Sequence, residues 1–142
     1  MSIVLDANAL VVLALDRHRA VAVERLLREW QAQSEDLHAP GLLPYEMASA
    51  LARAVAAGQL PAAEVPEAWQ RITAVPVVLH QLQDAPAIVA MTQRLQRKSA
   101  YDAAYIVLAE QLGAELWTLD GPLARNAAPR GLPVKLIETA ST

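Results

Sequence analysis

Short apolar runs alternate with stretches of three- and four-residue apolar periodicity along the chain, the pattern of strands separated by helices. Ile3-Val4-Leu5 is the first run and ends at once in Asp6, as a central strand ends in a polar residue. Ala9 to Leu15 continues as a short buried helix until Asp16-Arg17-His18 breaks it. Arg19 to Gln33 is amphipathic, with Ala20, Val23, Leu26, Leu27 and Trp30 on one face, so it should cover one side of a sheet. Leu37-His38-Ala39 predicts a second strand. Pro40 to Pro44 leads into a helix with Met47, Ala50, Leu51 and Ala54 inward and Glu46 in its first turn, Pro44 suiting its start and Gly58 its stop. Leu60 to Ala74 reads as a partner helix packed against it as a hairpin. Pro66 leaves its start open, because an interior proline loses a backbone bond.

Val77 to Leu79 predicts a third strand, and Asp84 suits the cap of a helix with Ile88, Met91 and Leu95 inward and Arg94, Arg97 and Lys98 near its end. In the stretch SAYDAAYIVLAEQLGAELWTLD, residues Tyr101, Ala104, Tyr105, Leu108 and Leu112 form one buried helical face, and Gly113 stops the helix. Glu115 to Leu119 is then a strand, ended by Asp120-Gly121-Pro122. A short helical or irregular segment to Pro129 and a last strand around Val134 to Ile137 follow, with a loose tail from about Thr139. The expected fold is α/β, one domain over residues 1–142, with a mostly parallel sheet of about five strands and helices on both faces.

Composition narrows the chemistry. Apolar residues make up 54% of the chain and charged ones 19%, which is a packed domain rather than a disordered segment. Without cysteine there is no disulfide, thiolate metal site or cysteine nucleophile. A net charge of −3 argues against a passive nucleic-acid-binding module, though not against an enzyme that recruits cations. No Lys or Arg precedes the first apolar run and Asp6 interrupts it, unlike a signal peptide, and Ala9 to Leu15 is far short of the ~20 residues of a membrane span. The expectation is a cytoplasmic protein with no membrane contact.

Asp6, Glu46, Asp102 and Asp120 come from four distant parts of the chain, yet each falls where a strand ends or a helix begins, and in a parallel sheet those places share one edge. Gathered carboxylates repel unless they are wet, protonated or joined by cations, and oxygen-only ligands select Mg²⁺ or Mn²⁺ over zinc. Such an ion can activate water and neutralise a phosphodiester, so the chemistry implied is metal-assisted phosphodiester hydrolysis. Each acid also has a structural reading. Asp6 would cap a helix, Glu46 favour a helix dipole, Asp102 complete a Ser99-x-x-Asp102 capping box, and Asp120 open an Asp-Gly turn. Asp16, Asp36, Glu64 and Glu67 fall instead in loops or on solvated faces, and His18, His38 and His80 have no metal-ligand spacing.

IVLDANAL at the start, PYEMASAL around Glu46, SAYDAAYIVLAEQLGAELWTLD around Asp102 and Asp120, and the final PVKLI together resemble the PIN-domain ribonucleases, in particular VapC-type toxins of bacterial toxin–antitoxin pairs. The likeness runs over nearly the whole chain and implies a PIN-like three-layer fold. It further implies that Asp6, Glu46, Asp102 and Asp120 bind one or two Mg²⁺ or Mn²⁺ ions and carry catalysis, with Asn8, Ser99 and Thr118 as supporting polar residues. Asn8 stands where many relatives carry Ser or Thr, and no acid follows Asp120 until Glu138. The implied partners are an RNA substrate, a cognate antitoxin and a second copy in a homodimer. Arg17, Arg19, Arg53, Arg97, Lys98 and Arg125 are the candidate cations for RNA, while Tyr101 and Tyr105 are placed in the core. Met47, Leu51, Leu60, Val65 and Trp69 are the candidate antitoxin groove. The alternatives are a receiver-like signalling domain, which needs a paired acid after its first strand that is absent beside Asp6, and a nuclease-inactive PIN-like interaction module, which retention of all four acids does not favour.

Overall fold

Ile3, Val4 and Leu5 offer no polar face to water, and in the computed structural model, which describes residues 2–97 and 99–139, they form the middle strand of the sheet. This strand, β1 (Ser2–Leu5), pairs in parallel with β2 (Asp36–Pro40) on one side and β4 (Glu115–Thr118) on the other. β3 (Val78–His80) and β5 (Val134–Leu136) form the edges, giving the all-parallel order β3-β2-β1-β4-β5. Burial on both faces explains why the central strand reads as a continuous apolar run rather than an alternating one.

Helix α1 (Ala7–Leu15) packs beneath β4 and carries α2 (Arg17–Ala32) and α3 (Leu43–Ala56). Trp30 of α2 meets Trp117 of β4 edge to face, with centroids 5.5 Å apart. Helix α6 (Tyr101–Leu112) lies against β1, β2 and β4, with α5 (Ala85–Arg94) outside it, and α7 (Gly121–Ala127) precedes β5. Gly113 takes the left-handed conformation at the end of α6, with φ of 62°. Among the described residues no helix is long and apolar enough to cross a membrane.

Four expectations are corrected. The segment after Gly58 forms a 3-10 turn over Ala62–Glu64 and a shorter helix, α4 (Val65–Thr73), so Pro66 sits in a first turn, where its missing N–H costs no helical bond. α3 and α4 each pack on α1 more than on one another, so they flank a groove rather than closing as a hairpin. In α6 the buried surface is wider than one face, running from Ala103 through Ala109, because sheet and α5 enclose it. Tyr101, expected inward, is 60% exposed. Met1, Lys98 and residues 140–142, which include most of the expected loose tail, lie outside the described residues.

His38 and His80 join the two strands at the β3 edge. Nδ1 of His38 lies 2.8 Å from Nε2 of His80, while Nε2 of His38 is buried without a hydrogen-bond partner among the described residues and is therefore best left unprotonated. Burial and the neighbouring His80 hold His38 below its ordinary value of 6.5, against the upward pull of Asp36. A base whose proton affinity falls on folding contributes stability above its ordinary value, and that contribution is lost as pH falls through it. His80→Ala should therefore cost more stability at about pH 8 than at about pH 5.5, on either side of the usual imidazole range. Urea midpoints of both proteins at the two pH values check this, and an equal cost at both would reduce the contact to packing.

Candidate active site

The four acids reach one edge because of where the elements stop. Asp6 follows β1 and precedes α1, Asp120 follows β4 and precedes α7, and Glu46 and Asp102 lie in the first turns of α3 and α6. The strand order reverses at β1, so the crevice at the carboxyl ends of β1 and β4 is the switch point where α/β sheets bind ligands. All four acids line a single cavity there of about 680 Å³, together with Asn8, Arg19 and Arg53.

Each carboxylate accepts a hydrogen bond from a separate part of the fold. The Thr118 hydroxyl donates to Asp6 Oδ2 at 2.8 Å, and Asn8 Nδ2 donates to the same oxygen at 3.4 Å. The Tyr105 hydroxyl donates to Glu46 Oε1 at 2.6 Å. Arg97 Nη1 donates to Asp102 Oδ2 at 2.9 Å, and the backbone N–H of Leu123 donates to Asp120 Oδ1 at 3.0 Å. Only Asp120 therefore serves as a helix cap. Asp6 stands at the cap position of α1 without a capping bond, and α6 is capped by Ala100, so the Ser99 capping box does not form. Ser99 instead accepts from the Tyr101 N–H at 3.3 Å and does not line the cavity.

Thr118 is the fixed point between β1 and β4. Its buried hydroxyl donates to Asp6 and accepts from Asn8 Nδ2 at 3.1 Å and from the Asp120 N–H at 3.0 Å. Asn8 completes the link by accepting from the Leu119 N–H at 3.1 Å. Burial raises Asp6 to about 7, opposed by Thr118 and reinforced by Glu46 and Asp102. Burial likewise raises Glu46, against its bond from Tyr105, and raises Asp102, against Arg97. Tyr105 is itself pushed up by burial and by donating to Glu46.

Tyr105 was expected in the core and is there, but sequence reasoning missed its bond to Glu46, since nothing local links residues so far apart. Asp16, set aside as a loop residue, lines the same cavity while capping α2 by accepting from the Arg19 N–H at 3.2 Å. Of the expected cations, Arg19 and Arg53 reach the cavity and Arg97 reaches Asp102. Arg125 folds back over Gly121, where a Cβ would lie 2.9 Å from its Nη1. Arg17 pairs with Glu24 at 3.1 Å, and Lys98 lies outside the described residues. His38 lies in its expected strand, His80 ends β3 one residue past the expected end, and His18 is exposed.

The donor set is all oxygen, and the anchoring bonds leave the second oxygen of each carboxylate untouched by those partners, which suits a hard divalent cation. Among the described residues no three acid, histidine or cysteine side chains stand close enough to hold an ion as they are. Separate anchoring keeps the like charges apart.

A family model described as the PIN domain matches residues 3–129. The chain is 33% identical over 132 residues to a protein named Ribonuclease VapC3 from Pyrobaculum aerophilum, covering 89% of this chain and 95% of that one. It is 36% identical over 124 residues to Ribonuclease VapC3 of Mycobacterium tuberculosis, covering 87% and 85%. The solved structure of PAE2754 from Pyrobaculum aerophilum superposes with a TM-score of 0.64 over 96% of this chain and 90% of that one, a likeness of fold at 20% identity.

Thr118→Val keeps the shape of the side chain and removes the hydroxyl that Asp6, Asn8 and Asp120 share. It should cost about 1–3 kcal/mol in chelator, the range for orphaning buried polar groups, and Thr118→Ser should recover most of it. Urea denaturation of the three proteins decides. A neutral Thr118→Val would mean the hydroxyl anchors nothing.

Proposed function

Since the chain belongs to the PIN-domain family, we propose that it is a metal-dependent endoribonuclease, the toxin of a toxin–antitoxin pair acting in the cytoplasm, and that it hydrolyses RNA phosphodiester bonds in the cavity of Asp6, Glu46, Asp102 and Asp120. The observation that carries this reading is four carboxylates on one cavity, each accepting a hydrogen bond from a different element. These acids would hold one or two Mg²⁺ or Mn²⁺ ions, which supply an activated water and offset charge on the phosphodiester when bound. The chain's own residues do the rest. Thr118 and Asn8 hold Asp6 against the strand ends, with Tyr105 fixing the rotamer of Glu46. Arg19 and Arg53 supply the positive charge on the cavity wall that an RNA backbone requires in a chain of net charge −3.

The groove between α3 and α4 fits the antitoxin. A cavity of about 330 Å³ there is lined by Ala48, Leu51, Ala52, Val55, Val65 and Trp69, an apolar trough for an amphipathic segment. Met47 and Leu60, also expected to line it, are buried in the core and do not. A second apolar cavity of about 510 Å³, between the start of α3 and helices α5 and α6, is bordered by the exposed Tyr45, Leu82, Val89 and Tyr101. A contiguous exposed apolar area of this kind suits self-association, and we assign the homodimer contact to it.

Purified protein freed of its partner should cleave RNA with Mg²⁺ or Mn²⁺ and stop in excess chelator. Asp6→Asn should abolish cleavage. In chelator it should be at least as stable as wild type, because a buried charge near other acids is removed while an oxygen still accepts from Thr118. It should also gain less in melting temperature from Mn²⁺, since stabilisation by a ligand follows its affinity. Cleavage that persists in chelator, or an active Asp6→Asn destabilised equally in both buffers, would overturn the metal reading.

A separate measurement addresses the groove. Trp69→Ala should weaken antitoxin binding by about tenfold or more, the loss expected of a central aromatic anchor. It should leave the mass of the free protein in light scattering unchanged, and undiminished antitoxin affinity would place the partner elsewhere.

A further inference from the structure

Among the described residues Asp102 is the only one of the four acids in an ion pair. Its partner Arg97 is five positions earlier, on the turn between α5 and α6. Gln96, two residues past α5, is left-handed with φ of 56°, and the Arg97 N–H donates to the Thr92 carbonyl at 3.2 Å, which fixes where the Arg97 side chain starts. Asp102 lines the acid cavity and Arg97 does not, so the guanidinium approaches the carboxylate from the side of the turn. Both side chains are 28% exposed, and neither is screened like a free surface charge.

We propose that Arg97 is the site's own counter-ion, a positioning residue that holds Asp102 in the metal-free protein and competes with a divalent cation for it. The inference rests on the reading of the cavity as a cation site. Gathered acids raise the energy of the empty cavity, and one guanidinium at hydrogen-bond distance offsets part of that repulsion. The same charge, hydrogen-bonded to the carboxylate whose other oxygen would meet the cation, repels a second positive ion. Arg97 thereby stabilises the metal-free fold and lowers metal affinity together. Neither effect belongs to a helix cap or to a surface pair.

The test is a Mn²⁺ titration followed by electron paramagnetic resonance of the free ion, which reads affinity without RNA cleavage. Arg97→Gln should bind Mn²⁺ about three- to tenfold more tightly, the scale of a partly screened ion pair, and should melt at a lower temperature in chelator. Arg97→Lys keeps the charge and should return affinity close to wild type. In an Asp102→Asn background the same Arg97→Gln change should give a smaller gain, because the contact it removes is already weakened. Unchanged or weaker Mn²⁺ binding by Arg97→Gln, in a protein whose wild type binds the ion, would overturn the counter-ion role and leave the metal reading standing. An equal gain in both backgrounds would also overturn it, by showing a general charge effect. A wild type that binds no Mn²⁺ would remove the metal reading and this inference with it.

Discussion

Mutual repulsion among four carboxylates at one edge of a sheet sets the terms for the structure around them. Three are raised by burial, and their neighbours raise them further. The fold bears this by giving each acid a separate donor from a different element: Thr118 at the end of β4, Tyr105 within α6, Arg97 on the turn before α6, and the first turn of α7. Because each donor takes one oxygen, the acids are positioned without being fully satisfied. A site so arranged leaves acceptor capacity on four carboxylates around one cavity, which is what the proposed metal-dependent reading draws on.

That arrangement depends on the order of the strands. With β1 between β2 and β4, the residues just past β1 and β4 are neighbours, so the Thr118 hydroxyl and the Asn8 amide can bond across them. A sheet in chain order would have put Asp6 and Asp120 at opposite sides. α6 is enclosed by the sheet and α5, which places Tyr105 deep enough to donate to Glu46 on α3. The packing of α6 and the chemistry of Glu46 are thus one feature seen at two levels.

The surfaces away from the acids divide by composition. Small apolar residues and Trp69 line the trough between α3 and α4, as suits an inserted segment, whereas exposed tyrosine, leucine and valine side chains surround the other apolar cavity. The resemblance in the motifs implied both a protein partner and self-association, and the two apolar cavities are the surfaces to which those roles are proposed.

Much of this was determined by sequence alone. The parallel α/β architecture, the strand positions to within a residue or two, and the four acids at element boundaries follow from local rules: apolar runs, helical periodicity, and Gly and Pro at stops and starts. Those rules act over a few residues, so they also misjudged what depends on distant ones. They allotted α6 one buried face although sheet and α5 enclose most of it, and they put Tyr101 inside and Asp16 aside. They closed α3 and α4 into a hairpin, although α1 is their common support. Whether Asp6 and Asp102 were caps or site residues was equally open, because a cap and a converging carboxylate occupy the same local position. The tertiary structure removed the capping role from both, by bringing Thr118 to one and Arg97 to the other, since which donor reaches a side chain is a matter of packing across the whole fold.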